Sequence, residues 1–148
     1  MNDRMALADL AGRYAAAVDG RDAAGLTALL APDAELVQPP ALVRRGQDAV
    51  VTGAEAIVAT VLGATAHLLS THHAVHQQVL DVDGDTAAGQ TYCTAHHVYR
   101  DRDGALRDNA LAIRYQDRYR RVGGRWLLAR RELVVDFGSD NPVTVPGA

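Results

Sequence analysis

Six histidines, His67, His72, His73, His76, His96 and His97, fall within a window of 31 residues. Imidazole exchanges protons near neutral pH and is also a common metal ligand, so two chemistries present themselves. Successive side chains of an extended strand alternate, which places His72 and His76 on one face and His73 on the other. A metal would need His72, His76 and one of the 96–97 pair to converge. The sequence offers no cysteine or carboxylate ligand at recognisable spacing beside them, and no H-E-x-x-H motif, so no metal site is expected. The second chemistry is a histidine base whose other nitrogen is held by a carboxylate, fixing the tautomer and stabilising the imidazolium. Asp19 is the candidate carboxylate, at the C-terminal end of a helical stretch whose dipole disfavours an anion. For any one of these histidines the plain alternative is a solvated side chain on a strand.

The elements that would carry these residues are legible from periodicity. Leu7, Leu10, Tyr14 and Val18 form one apolar stripe, predicting a helix over 3–19 with Asp3 as N-cap and Gly20 as its stop. Asp22 is expected to cap a second helix through Leu30, ended by Pro32, and 34–38 reads as a short strand closed by Pro39-Pro40. Thr52-Gly53-Ala54-Glu55 has the form of a capping box opening a helix to about Leu62. From Ser70 the period becomes two. Strands are predicted over about 71–82, 86–100, 109–121 and 125–137, separated by Asp83-Gly84, Asp103-Gly104 and Gly123-Gly124. Loops this short make neighbouring strands antiparallel. The expected fold class is α+β: helices on one face of a curved, mostly antiparallel sheet whose concave side is a natural apolar pocket. The domain would span 1–137, followed by an irregular tail over 138–148.

A chain of 148 residues with 48% hydrophobic and 22% charged residues suits one soluble globular domain. The 15 basic residues are all arginine, a bias of high-GC bacterial coding, and with 18 acidic residues they give a net charge of −3. Asp108, Asp117, Glu132 and Asp136 interrupt the arginine-rich stretch 114–131, and no aromatic stacking motif accompanies it, which argues against nucleic-acid binding. The uncharged run 56–78 contains four histidines, so no membrane span is expected. The single cysteine, Cys93, and an N-terminus without the pattern of a secretory signal point to a cytoplasmic protein.

Several stretches carry a family resemblance. Arg13-Tyr14-Ala15-Ala16-Ala17-Val18-Asp19-Gly20-Arg21-Asp22, followed by Leu29-Leu30-Ala31-Pro32-Asp33-Ala34, resembles the opening of SnoaL-like proteins. Thr71-His72-His73-Ala74-Val75-His76-Gln77, Asp83-Gly84-Asp85-Thr86-Ala87, and Tyr115 through Trp126 fit as well, so the resemblance covers roughly residues 5–136. These proteins belong to the nuclear-transport-factor-2-like (cystatin-like) superfamily, whose cone-shaped α+β barrel sets three N-terminal helices on a curved mixed sheet. The branch most similar in pattern contains scytalone dehydratase and the hexachlorocyclohexane dehydrochlorinases. It implies a catalytic dyad of Asp19 and His73, with His72 the competitor one place away and Gln77 standing where the family often has Asn. The second catalytic histidine of scytalone dehydratase would fall near Thr91, and the dehydrochlorinase arginine on Val122, one place from Arg121. Both departures separate this chain from those two activities while leaving the dyad.

Parity proposes the pocket neighbours. His73, Val75, Gln77 and Val79 share a face, and a two-residue turn at Asp83-Gly84 would add Tyr92, Thr94 and His96 to it. A loop one residue longer would bring Thr91, Cys93, Ala95 and His97 inward, the register favoured by the family pattern. The substrate-binding candidates are then His97, Cys93 and, from the helical roof, Tyr14. The resemblance implies a cofactor-free lyase or isomerase of dehydratase, isomerase or polyketide-cyclase type. It would act on a small apolar molecule (polyketide, steroid, terpenoid or aromatic) and form a homodimer or homotrimer. The alternative is a non-catalytic ligand-binding or assembly module resembling the small subunit of a ring-hydroxylating dioxygenase.

Overall fold

A computed structural model describes residues 2–148. The first helix, α1 (Asp3–Asp19), buries Leu7, Leu10, Tyr14 and Val18 along the anticipated stripe. Its N-cap is Asn2, whose side chain accepts from the Met5 amide, not Asp3. Asp3 is committed elsewhere, accepting from Trp126 Nε1 at 3.0 Å and from Arg121 at 3.0 Å. Asp22 caps α2 (Ala23–Thr27) as expected. This helix is shorter than predicted because the chain has already turned into β1 (Leu30–Val37). Pro32 is tolerated in β1 because the pairing register breaks between Leu30 and Glu35, where no regular ladder bond is required of it.

The predicted capping box does not form. Thr52 belongs to β2 (Val50–Thr52) and pairs with Glu35, so Gly53, at φ +98°, becomes the N-cap of α3 (Ala54–Thr65) without any side-chain bond. That left-handed backbone is open to glycine at little cost.

Four long strands follow: β3 (Ser70–Asp83), β4 (Thr86–Arg100), β5 (Leu106–Val122) and β6 (Arg125–Pro142). They make an antiparallel meander, and β6 then pairs in parallel with β1. The six-stranded sheet runs β2-β1-β6-β5-β4-β3, an open, cone-like arrangement with β2 and β3 at its edges and the helices packed against it. β6 also continues beyond the expected limit at residue 137. Gly138 pairs with Leu111 and Pro142 with Arg107, so the segment anticipated as an irregular tail begins as strand. Gly138 suits this place, because a Cβ there would lie 2.8 Å from Leu111 Cδ2.

A bulge in β3 sets which residues face the helices. Val75 pairs with Cys93 and Gln78 with Thr91, so β3 spends three steps where β4 spends two. The β3–β4 turn is a two-residue turn, with Asp83 paired to Thr86. The expected inward register is therefore reached through an extra strand residue, not through a longer loop. Parity changes at the bulge: Leu80 is buried whereas Val79 is exposed, and Gln77 leaves the face of His73 and Val75.

At the level of Gly89 the sheet buries a charge pair. Asp117 receives both Nε and Nη2 of Arg131 at 2.8 Å, and Tyr119 Oη donates to Asp117 at 2.7 Å. The guanidinium lies between two rings, 4.2 Å from the Tyr14 centroid and 3.8 Å from that of Tyr115. Removing one partner of such a pair strands a charge away from water, at a cost of about 3–5 kcal/mol, against ~1 kcal/mol or less for a surface pair. Asp117→Ala should therefore lower the urea-unfolding free energy by about 3–5 kcal/mol. Asp33→Ala, which removes the exposed partner of Arg120, should change it by less than ~1 kcal/mol in the same titration.

Candidate active site

The C-terminus of α1 and the start of β3 meet at Asp19. Its carboxylate accepts three hydrogen bonds from β3: Thr71 Oγ1 to Oδ1 at 2.8 Å, the His73 amide to Oδ2 at 2.8 Å, and His73 Nδ1 to Oδ1 at 2.7 Å. Burial alone would push the Asp19 carboxyl up, but the bonds from the His73 amide, the His73 ring and Thr71 outweigh it and hold it below the usual aspartate value. An ionised Asp19 requires the proton on His73 Nδ1, leaving Nε2 with the lone pair. Nε2 makes no hydrogen bond among the described residues. The His73 side chain is 9% exposed and that of Asp19 24%. This arrangement can accept a proton at Nε2 and stabilise the resulting cation at Nδ1.

His97 is on the same face, paired across the sheet with Thr71, and its ring stands edge-on to that of His73 with centroids 6.0 Å apart. Its Nδ1 lies 2.9 Å from the Asn109 carbonyl and donates to it, so Nε2 carries the lone pair here too. Burial holds His97 below the ordinary histidine pKa, the bond to Asn109 opposing that shift and the nearby His73 adding to it. His97 also lines a hollow of about 870 Å³, with Leu42, Leu68, Leu69 and Leu111 among its apolar walls. His73 is not part of that lining but adjoins it through its edge-on contact with His97.

The remaining candidates separate cleanly. Cys93 is buried beside Ala95, Ile113 and Tyr115, and burial pushes its thiol up to about 11, a wall group and not a nucleophile. Tyr14 is buried in edge-to-face contact with Tyr115, centroids 6.2 Å apart, above the Arg131 guanidinium. His72 faces outward and is exposed, its ring against that of His96. His96 Nδ1 bonds to Asp108 at 2.6 Å, and His76 bonds to Thr94 at 2.8 Å. Val122 is exposed at a hairpin. Among the described residues, no three histidine, cysteine or acidic side chains are arranged to hold a metal ion, and no helix is long and apolar enough to cross a membrane.

Arg131 was not distinguished by sequence reasoning, which met it only as the end of the arginine-rich stretch 114–131. It is 1% exposed, and its Nη1 has no hydrogen-bond partner. The available signal was parity with its cross-strand partner Asp117, opposite charges on an otherwise apolar inward row.

A helix-roofed open cone with a carboxylate-steered histidine where the first helix meets β3 defines a class of α+β proteins with a pocket. The family model of the SnoaL-like domain matches residues 1–132, and the chain belongs to that family. Similar solved structures include a scytalone dehydratase candidate from Novosphingobium aromaticivorans (25% identity, 96% of this chain and 89% of that one, TM-score 0.79). A type 2 hexachlorocyclohexane dehydrochlorinase, LinA, aligns at 19% identity over 98% and 95% of the two chains, with TM-score 0.80. A Nostoc punctiforme protein of cystatin-like fold aligns at 20% identity over 90% and 91%, with TM-score 0.69. No curated protein matches the chain in sequence.

The depressed pKa of His97 has a definite sign in solution. The unfolded chain binds a proton there at higher pH than the folded one, so His97 favours folding at neutral pH and this contribution falls as pH drops through about 6.5. Ring-proton NMR titration should place the His97 midpoint below the ordinary histidine value, and a midpoint at or above it would contradict the burial seen here.

Proposed function

We propose that the protein is a cofactor-free lyase or isomerase in which His73 removes a proton from carbon next to an electron-withdrawing group. The carrying observation is the Asp19–His73 pair, 2.7 Å apart, with the second ring nitrogen uncommitted. In this reading His73 Nε2 takes the proton and Asp19, ionised at neutral pH, stabilises the imidazolium. The electrons left on carbon either expel a β-substituent, such as hydroxide or halide, or move onto a carbonyl oxygen as an enolate. His97 presents a lone pair at Nε2 and therefore suits a substrate hydroxyl that donates to it. Donation from His97 to a leaving group would require the proton its environment disfavours.

Support also comes from family membership and from the dehydratase candidate and the dehydrochlorinase among the similar structures, since dehydration and dehydrochlorination both remove a proton and an adjacent leaving group. A positioned base typically contributes about 10²–10⁴-fold, enough for an already activated C–H bond. The test is a panel of cyclic β-hydroxyketones and polychlorinated cycloalkanes, read by enone absorbance and released chloride. Elimination should appear with the unaltered protein, and His73→Ala and Asp19→Asn should each lower kcat by ~10²-fold or more with unchanged circular dichroism. Undiminished turnover in both variants would remove the dyad from the mechanism.

A further inference from the structure

The mouth of the hollow carries charge that the proton-transfer reading does not use. Arg44, Arg100, His67 and Asp140 all line it. Asp140 is already committed: Tyr99 Oη and Arg107 Nε each bond its carboxylate at 2.5 Å, and both hold it below the usual aspartate pKa. Arg100 reaches only a carbonyl, that of Gly104 at 3.2 Å, and Arg44 has no ion-pair or hydrogen-bond partner among the described residues. The Asp101 carboxylate, which accepts from the backbone amides of Asp103 and Ala105, is not among the lining residues. One carboxylate at the rim is thus neutralised by Arg107, while two guanidiniums there are not. The chain as a whole is at −3, so this positive rim is a local feature at the opening of the pocket.

We infer that the substrate is an apolar ring or chain ending in an oxyanion, a carboxylate or phosphate, held at the rim by Arg44 and Arg100 with its reacting carbon toward His97 and His73. This rests on the proposed activity and adds its substrate class. Low-dielectric walls focus the field of rim charges onto the opening, raising both the local concentration of an anion and its preferred orientation. The apolar side chains of Leu42, Leu68, Leu69 and Leu111 that line the hollow would take the hydrocarbon body. A neutral molecule of the same shape would gain the apolar contacts and lose those to the arginines. Two exposed arginines act through partly screened attraction, so the discrimination should depend strongly on salt.

The test uses the full chain, with calorimetric binding of naphthalene-2-carboxylate, 2-naphthyl phosphate and the neutral methyl naphthalene-2-carboxylate at low and high ionic strength. At low salt at least one anion should bind ~10-fold or more tightly than the ester, and high salt should shrink that contrast. In the Arg44→Gln/Arg100→Gln double variant the contrast should fall below ~3-fold, with ester binding unchanged. Which anion binds more tightly identifies the terminal group. His73→Ala should keep the full contrast, so binding is read independently of turnover and the dyad can fail without this inference failing. Equal affinity for ester and anions, a contrast surviving in the double variant, or no binding of any probe would overturn it.

Discussion

The carboxylate of Asp19 joins the helical layer to the sheet at the place where chemistry is proposed. A helix C-terminus is a poor place for an anion, because the unsatisfied carbonyls there carry partial negative charge. Three donors from two residues of β3 offset that penalty and fix both carboxylate oxygens. The same bonds orient the His73 ring by holding its amide and its Nδ1 together. Position and tautomer of the imidazole thus follow from one contact between the end of α1 and the start of β3.

The other half of the cone is organised by Arg131. A guanidinium buried between Tyr14 and Tyr115 and clasped by Asp117 has its charge balanced by a carboxylate and by aromatic faces, an arrangement suited to the planar group of arginine and not to an ammonium. It leaves one nitrogen without a partner while the opposite wall presents histidine lone pairs.

The architecture was legible in the sequence wherever local chemistry decides it. The stripe of α1, the change to a period of two after Ser70 and the glycine-containing turns identify the helix and the meander. Errors arose where tertiary pairing overrides a local motif. Thr52-Gly53-Ala54-Glu55 satisfies the pattern of a capping box, yet Thr52 is claimed by pairing with Glu35. Asp3 has the composition of an N-cap, but Trp126 and Arg121 take its carboxylate from the far end of the chain. The bulge at His76-Gln77 has no composition of its own, so parity counted from the turn misassigned Gln77 and Val79. Arg131 was hidden because the strands around it carry arginines that do reach solvent, Arg118 and Arg120 among them.

That same bulge bears on solubility. β3 is an edge of the sheet and runs for 14 residues, long enough to template pairing with a strand from another molecule. A regular edge of this length exposes an uninterrupted row of amides and carbonyls. One surplus residue part-way along shifts the phase of that row and sharpens its twist, so an incoming strand matched to one half falls out of step with the other. The irregularity that brings His73 and His97 onto one face therefore also makes this edge a poorer template for an incoming strand.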